Sequence, residues 1–410
     1  MVHTIVTKPE RGALMAHDKW LRRFACSLML SIWATTAAAA PPVLVTNNAD
    51  AGGGSFRDAI AQANADAKIS GIRFDAGLGG PIELISTVTY TGGQALKIEG
   101  NGATITAAVS NTSNLFSSTG GGNLAIEGLI FEGGSEQGIF VSVPVMATKI
   151  VRLWLREVLV RGNGLHGVYI DDSNGSAASV ELRLDRTAIS NNGLLGVSDF
   201  DGVRVDEAGA GDIIFMSGNS LARGNGGDGV ELDEQGAGDV HATLTNSSFD
   251  GNGFLDPNDL EDGFDIDEAD DGSIFARIYE TTATGNFDGG FDLDEAGKGD
   301  IDVSFVKVQA NNNAEDCIKA SEEDEGNVKV SLGDSIVGGS TNNDGVQFEE
   351  EGEGNIEVWV VNSLITDNDG SGLDVSEANA GSGKLFLKQV TLLGNDDPQV
   401  STSGGVVVFQ

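Results

Sequence analysis

The chain is poor in several things that usually hold a protein together or anchor it. Two cysteines among 410 residues leave no disulfide framework. Basic residues number 24 against 62 acidic ones, a formal net charge of -38. That balance excludes a nucleic-acid binder that works by neutralising phosphates, and it argues against docking on anionic lipid. Past the first forty residues no apolar run is long enough to cross a bilayer. Prolines number only 7, whereas glycines number 58 and hydrophobic residues reach 40%. There is enough apolar material for a sizeable core, so a wholly disordered acidic chain is excluded. The glycine content favours an array of tight turns.

The N-terminus reads as a processing segment. Lys19-Trp-Leu-Arg-Arg23 is basic, residues 24–33 are apolar, and Ala37-Ala-Ala-Ala40 precedes Pro41. This is the layout of a secretory signal peptide, with Met15 as an alternative start and cleavage expected before Ala40. Residues 1–39 are therefore expected to be removed, leaving an exported chain at the cell surface, outside the cell or in the periplasm. The competing reading is a buried N-terminal helix. Cys26 falls inside the segment, so Cys317 is the lone thiol of the mature chain. A soluble monomer without a transmembrane segment is the expectation.

A repeat of about 27 residues organises the remainder. Asp201-Gly-Val-Arg-Val-Asp-Glu-Ala-Gly-Ala-Gly-Asp212 returns in copies starting at Asp228, Asp262 and Gly289. Weaker copies start at His166, Asp316, Asp344 and Ser371, and one longer interval carries an insertion around Phe254 to Glu261. Each copy opens with a short alternating strand, such as Phe264 and Ile266 with Asp265 between them. A glycine-rich acidic turn and a second alternating strand follow, then a third segment ending in an Asn turn. Asn225, Asn286, Asn313 and Asn368 each stand three residues before the next copy, which would stack them in one column. Short strands of period two with regular turns and no helical stretches mean an all-β solenoid. Three strands per coil suit a right-handed parallel β-helix of about twelve coils over residues 108–410. Cys317 occupies a position that is glycine in other copies (Gly202, Gly229, Gly263 and Gly345), so a small residue is needed there.

Residues 40–107 differ. Ser55 precedes a helical pattern, Phe56-Arg-Asp-Ala-Ile-Ala-Gln-Ala-Asn-Ala65, as an N-cap with Asp58 three later. A solenoid must hide its open edge, so this region reads as a helical cap with first coils. Val45-Thr-Asn-Asn-Ala-Asp-Ala-Gly-Gly-Gly-Ser-Phe-Arg-Asp-Ala-Ile60, with Ile72-Arg-Phe-Asp75 and Ile98-Glu-Gly-Asn-Gly-Ala-Thr-Ile105, resembles the N-terminal region of bacterial exported right-handed β-helix proteins. Those proteins carry a Ser-Leu-Arg-Glu-Ala-Ile-like motif, often after a Cys. Here Phe56 and Asp58 replace the Leu and Glu, and Gly54 stands in the place of that Cys. The resemblance implies a pectate-lyase-like fold and export. It implies little about activity, because that fold hosts lyases, hydrolases, epimerases and adhesins alike.

The chemistry lies in the acids. Between residues 201 and 380 there are 43 acidic residues against 7 basic ones. One column runs Asp206, Asp233, Asp267, Asp294, Ser321, Glu349, Ser376, and the next runs Glu207, Glu234, Glu268, Glu295, Glu322, Glu350, Glu377. Carboxylates on rungs about 4.8 Å apart repel by roughly 1 kcal/mol in water, and by more at a partly dry surface. Three arrangements offset this: a solvated face screened by salt, carboxyls that share protons, or Ca²⁺ between rungs. Export favours calcium, with Asp206, Glu207, Asp233, Glu234, Asp265, Asp267, Glu268, Asp292, Asp294 and Glu295 as candidate ligands. Polysaccharide lyases of this fold pair Ca²⁺-binding acids with an Arg or Lys base on a neighbouring rung, and Lys319, one coil beyond Asp292, is the matching candidate. His166 with Asp171 and Asp172 is a weaker candidate for a glycosidase pair. The resulting expectation is a calcium-stabilised binding or structural rod with a polysaccharide or cell-surface partner. A lyase or epimerase is the alternative.

Overall fold

The computed structural model describes residues 3–4, 40–195, 200–257, 260–379, 381–396 and 398–410. The expected signal segment, with Cys26, lies outside the described residues except for His3–Thr4, which pairs antiparallel with Thr391 and Leu392. Among the described residues no helix is long and apolar enough to cross a membrane.

The repeat becomes a parallel β-solenoid. Each regular coil places a five-residue strand, such as Val203–Glu207, in a twelve-stranded sheet. A six-residue strand such as Ile213–Gly218 and a three-residue strand such as Leu221–Arg223 then enter a second sheet. Registers follow the repeat without slippage: Asp206 pairs with Asp233, Asp233 with Asp267, and Asp267 with Asp294. Two bends per coil use left-handed backbone. Asn219 and Asn246 (φ 52° and 49°) separate the two strands of the second sheet, and Gly224 and Gly251 (φ 63°) follow the short strand. Asn tolerates that region better than most residues, and Gly has no penalty there.

Alternation sends one side chain in two inward. Val230, Phe264, Phe291, Ile318 and Val346 stack from one sheet against Val240, Ile274, Ile301 and Val328 from the other, all fully buried. Phe249 and Phe264 meet at 5.3 Å between ring centroids, and Phe291 and Phe305 at 5.8 Å. Each such side chain contributes about 1.5–3 kcal/mol on burial.

The Asn column forms a continuous polar spine and is longer than the sequence suggests. Asn163, Asn192, Asn225, Asn252, Asn286 and Asn313 are linked in order, each amide Nδ2 donating to the Oδ1 of the next rung at 2.9–3.1 Å. Asn368 and Asn395 continue it in the last coils. A Cβ on Gly202, Gly229, Gly263 or Gly290 would press on the amide of Asn225, Asn252, Asn286 or Asn313 respectively. The side chain of Cys317 is tolerated at this position because its own coil closes on Ser340, whose shorter side chain interrupts the spine. The thiol is buried, and burial pushes its pKa up to about 11.

The expected helix forms over Phe56–Ala65. Ser55 Oγ accepts from the Asp58 amide at 3.1 Å, and Asp58 reaches back to the Gly54 amide at 3.2 Å. Phe56 packs on Phe74 and Phe116 at 5.2 and 6.0 Å, covering the start of the core. This is the capped entry read from the spacing, with the second hydrogen bond moved one residue towards the N-terminus.

Candidate functional site

The acid-rich strands of the twelve-stranded sheet present two very different faces. In Phe264–Glu268 the residues Phe264, Ile266 and Glu268 are buried, while Asp265 and Asp267 point outward. The sequence reading names both the Asp column and the Glu column as candidate calcium ligands, but adjacent strand residues must face opposite ways. Asp206, Asp233, Asp265, Asp267, Asp292 and Asp294 therefore share the outer face. Glu207, Glu234, Glu268 and Glu295 are turned inward and are at most 1% exposed.

The outer face is bracketed by two cations. Arg204 donates to Asp206 at 2.7 Å and to Asp233 at 2.9 Å, and it also pairs with Glu231. Four rungs on, the Lys319 ammonium holds Asp294 at 2.7 Å and Asp292 at 3.2 Å. Burial acts against both charges, yet the surrounding carboxylates hold both groups firmly protonated. The middle of the three rungs between them carries Asp265 and Asp267, and among the described residues no ion pair reaches either one. Burial, then the neighbouring carboxylates Asp267, Asp262 and Asp292, raises the Asp265 pKa well above the ordinary range. Asp267 is pushed up to about 6 by burial and by Asp294, and Asp292 to about 7 by burial and again by Asp294.

A third row, not assigned a role from the sequence, comes from the first residue of each copy. The Asp201 carboxylate accepts the Asp228 amide at 2.8 Å, Asp228 accepts that of Asp262, and Asp262 that of Gly289. The recurrence of Asp at the copy start was the available signal. These carboxylates lie beside the strand acids, so oxygens of Asp262, Asp265 and Asp292 come within 4.8 Å of one another. Asp201 with Asp228 and Glu231, and Glu231 with Asp265 and Asp267, do the same. Asp292 Oδ1 is buried without a hydrogen-bond partner.

An aromatic cluster adjoins the Arg204 end. Tyr169 packs at a tilt against Phe140 and His166, at 5.4 and 5.0 Å between ring centroids, and donates its hydroxyl to Asp206 at 2.5 Å. His166 Nδ1 accepts the Asp201 amide at 2.9 Å. Asp171 and Asp172 do not form a facing pair. Asp172 is buried on the inner side and accepts from Ser176, while Asp171 accepts from Ser173 on the outer side. His241 lies on the other sheet, stacked on Phe275 at 5.1 Å. The coil is longer between Asn192 and Asp201, and again between Asn252 and Asp262. Both insertions end at the corner that carries the third acidic row.

No family model and no curated protein matches this chain. The fold is that of the parallel β-helix. Solved structures similar to it include pectate lyase Pel9A, at 17% identity and a TM-score of 0.43, with 67% of this chain and 71% of that one covered. The catalytic domain of a GH87 alpha-1,3-glucanase in complex with tetrasaccharides gives 11% identity and a TM-score of 0.44, covering 92% and 70%. Tailspike protein 2 of Escherichia coli O157:H7 bacteriophage CAB120 gives 12% identity and a TM-score of 0.36, covering 71% and 38%.

Proposed function

We propose that the outer acidic face holds a hard divalent cation, calcium in an exported protein, among Asp262, Asp265 and Asp292, and through it binds an anionic polysaccharide lying along the rod. The observation that carries this reading is the middle rung. Arg204 and Lys319 neutralise the rungs on either side, and Asp265 is left with carboxylate neighbours and no cation. Hard oxygen donors at this spacing suit calcium, whose remaining positions can be filled by water or by a carboxylate of the ligand. The Phe140–Tyr169–His166 cluster, at the end of the same face, offers an apolar surface for a sugar ring.

Binding fits the geometry better than eliminative cleavage. A general base must be unprotonated at the working pH, and Lys319 is held protonated by Asp292 and Asp294. The protein is expected to be retarded in a polyuronate affinity gel with millimolar Ca²⁺ and to run free in EDTA, with no rise in absorbance at the wavelength of unsaturated uronate products. Asp265→Asn should abolish the calcium-dependent retardation. Retardation that persists in EDTA, or that the variant leaves unchanged, contradicts the cation bridge. A rise in unsaturated product that is lost in Lys319→Ala would establish the lyase reading instead.

A further inference from the structure

The inward Glu column has no part in the outer face and poses its own chemical problem. Glu207, Glu234, Glu268, Glu295, Glu322, Glu350 and Glu377 occupy seven successive rungs at the inner edge of the twelve-stranded sheet, all at most 1% exposed. One oxygen of most of them is satisfied by a backbone amide of the following turn. Glu322 accepts from Asp324 at 3.1 Å, Glu350 from Gly352 at 3.0 Å and Glu377 from Gly381 at 2.8 Å. The other oxygen is buried and unpartnered in Glu322 and Glu350, and both oxygens are so in Glu295.

Those orphaned oxygens belong to neighbouring rungs. Glu295 pairs in register with Glu322, and Glu322 with Glu350, so their carboxyls stand on adjacent rungs of one buried column. The charged groups acting on these three are Glu268, Glu377 and one another, with no basic residue among them. The covering turns carry Lys298, Asp324, Glu325, Glu351 and Glu353, all at the solvent surface, and Lys298 is paired outward with Glu325 at 3.3 Å. The turns are also sealed. A Cβ on Gly299, Gly326 or Gly354 would overlap the carbonyl of the glycine in the coil below. Two unpaired buried carboxylates on adjacent rungs are strongly unfavourable, so something must offset their charge. A cation there would meet only two carboxyls, since the three-carboxylate groups among the described residues lie on the outer face. A proton needs no more than two oxygens.

We propose that Glu295, Glu322 and Glu350 form a chain of shared protons, each carboxyl group donating its hydrogen to the carboxyl of the adjacent rung, so that the turns of the rod are closed by bound protons and loosen under alkaline conditions. The sign follows from linkage. Burial raises Glu295 to about 8 and Glu322 to about 7, and it raises Glu350 as well, all above the ordinary 4.5 expected when unfolded. The stabilisation is complete below the unfolded value and is lost as pH rises through the folded values.

The test is thermal melting of the full chain in EDTA at pH 5 and pH 9, comparing wild type with Glu322→Gln/Glu350→Gln. Glutamine keeps the acceptor oxygen and supplies a permanent hydrogen. The expected result is equal melting at pH 5 and a variant that melts several degrees higher than wild type at pH 9. A variant that melts lower than wild type at both pH values overturns the proposal, because the ionised carboxylates would then be the stabilising form. Infrared difference spectra of the wild type should also show a protonated-carboxyl carbonyl band at pH 7. If the double variant does not fold, a weaker band at pH 7 in Glu322→Gln alone supports the chain, and a band unchanged from wild type overturns it.

Discussion

Asn286→Ala is expected to cost about 3 kcal/mol. Its Nδ2 donates to Asn313 Oδ1 at 3.0 Å and to the Phe249 carbonyl at 3.2 Å. Its Oδ1 accepts the backbone amide and the side-chain amide of Asn252, both at 3.1 Å. Truncation takes a partner from four buried groups, of which Asn313 Oδ1 and Asn252 Nδ2 keep another, and an orphaned buried group costs about 1–3 kcal/mol. Partial relaxation of the neighbours keeps the total below the sum. Asn246, which donates to Asn219 at 2.8 Å on the solvent side, is the control. Asn246→Ala should cost about 1 kcal/mol or less, part of it from the left-handed backbone there. Urea unfolding measures both. Because a solenoid couples only neighbouring coils, amide exchange should localise the Asn286 loss to the coils next to it.

Gly299→Ala is expected to have a larger effect, about 4 kcal/mol or more, up to failure of the acidic coils to close. The added Cβ would lie inside the van der Waals radius of the Gly272 carbonyl and 3.1 Å from Glu295 Oε1. The opposing atom is backbone, so relief requires separating two hydrogen-bonded rungs rather than turning a side chain. Gly211, Gly238, Gly272, Gly299, Gly326, Gly354 and Gly381 repeat this packing down the rod. That seam takes seven of the 58 glycines. Gly333 has ordinary backbone and open space at its Cβ, so Gly333→Ala should be close to neutral. Circular dichroism melts of the two alanine variants separate close approach from a general intolerance of the fold to alanine.

The repeat made the architecture readable because in a parallel solenoid one period fixes every register. The stacking of Asp267 on Asp294 follows from the 27-residue spacing alone, and the structure keeps it. Four members of the Asn spine were visible by their distance from the next copy. Asn192 and Asn252 were hidden because insertions follow them, which moves the next copy without moving the Asn. The direction of the acids was harder to read. Hydropathy predicts that an inward strand position is apolar, and the terminal Glu of each acidic strand breaks that rule. Its burial depends on glycine turns packing over it, a property of neighbouring coils rather than of any one segment. The bracket of Arg204 and Lys319 around Asp265 was only half visible. Lys319 stood out by falling in the column of Asp265 and Asp292, whereas the reach of Arg204 to the next rung is a matter of side-chain geometry.

The cation site is tested most directly by melting wild type and Asp265→Asn in EDTA and in millimolar Ca²⁺, with NaCl of equal ionic strength as the reference. In EDTA the variant should be more stable than wild type, by about 1 kcal/mol, because a carboxylate among carboxylates has become neutral. In calcium the order should reverse, since wild type gains binding free energy by mass action and the variant has lost a charged ligand. Calcium should also raise the wild-type melting temperature well beyond the NaCl reference. A variant that is more stable by the same margin in both media, with calcium no better than NaCl, would leave only a screened acidic surface and contradict the cation site.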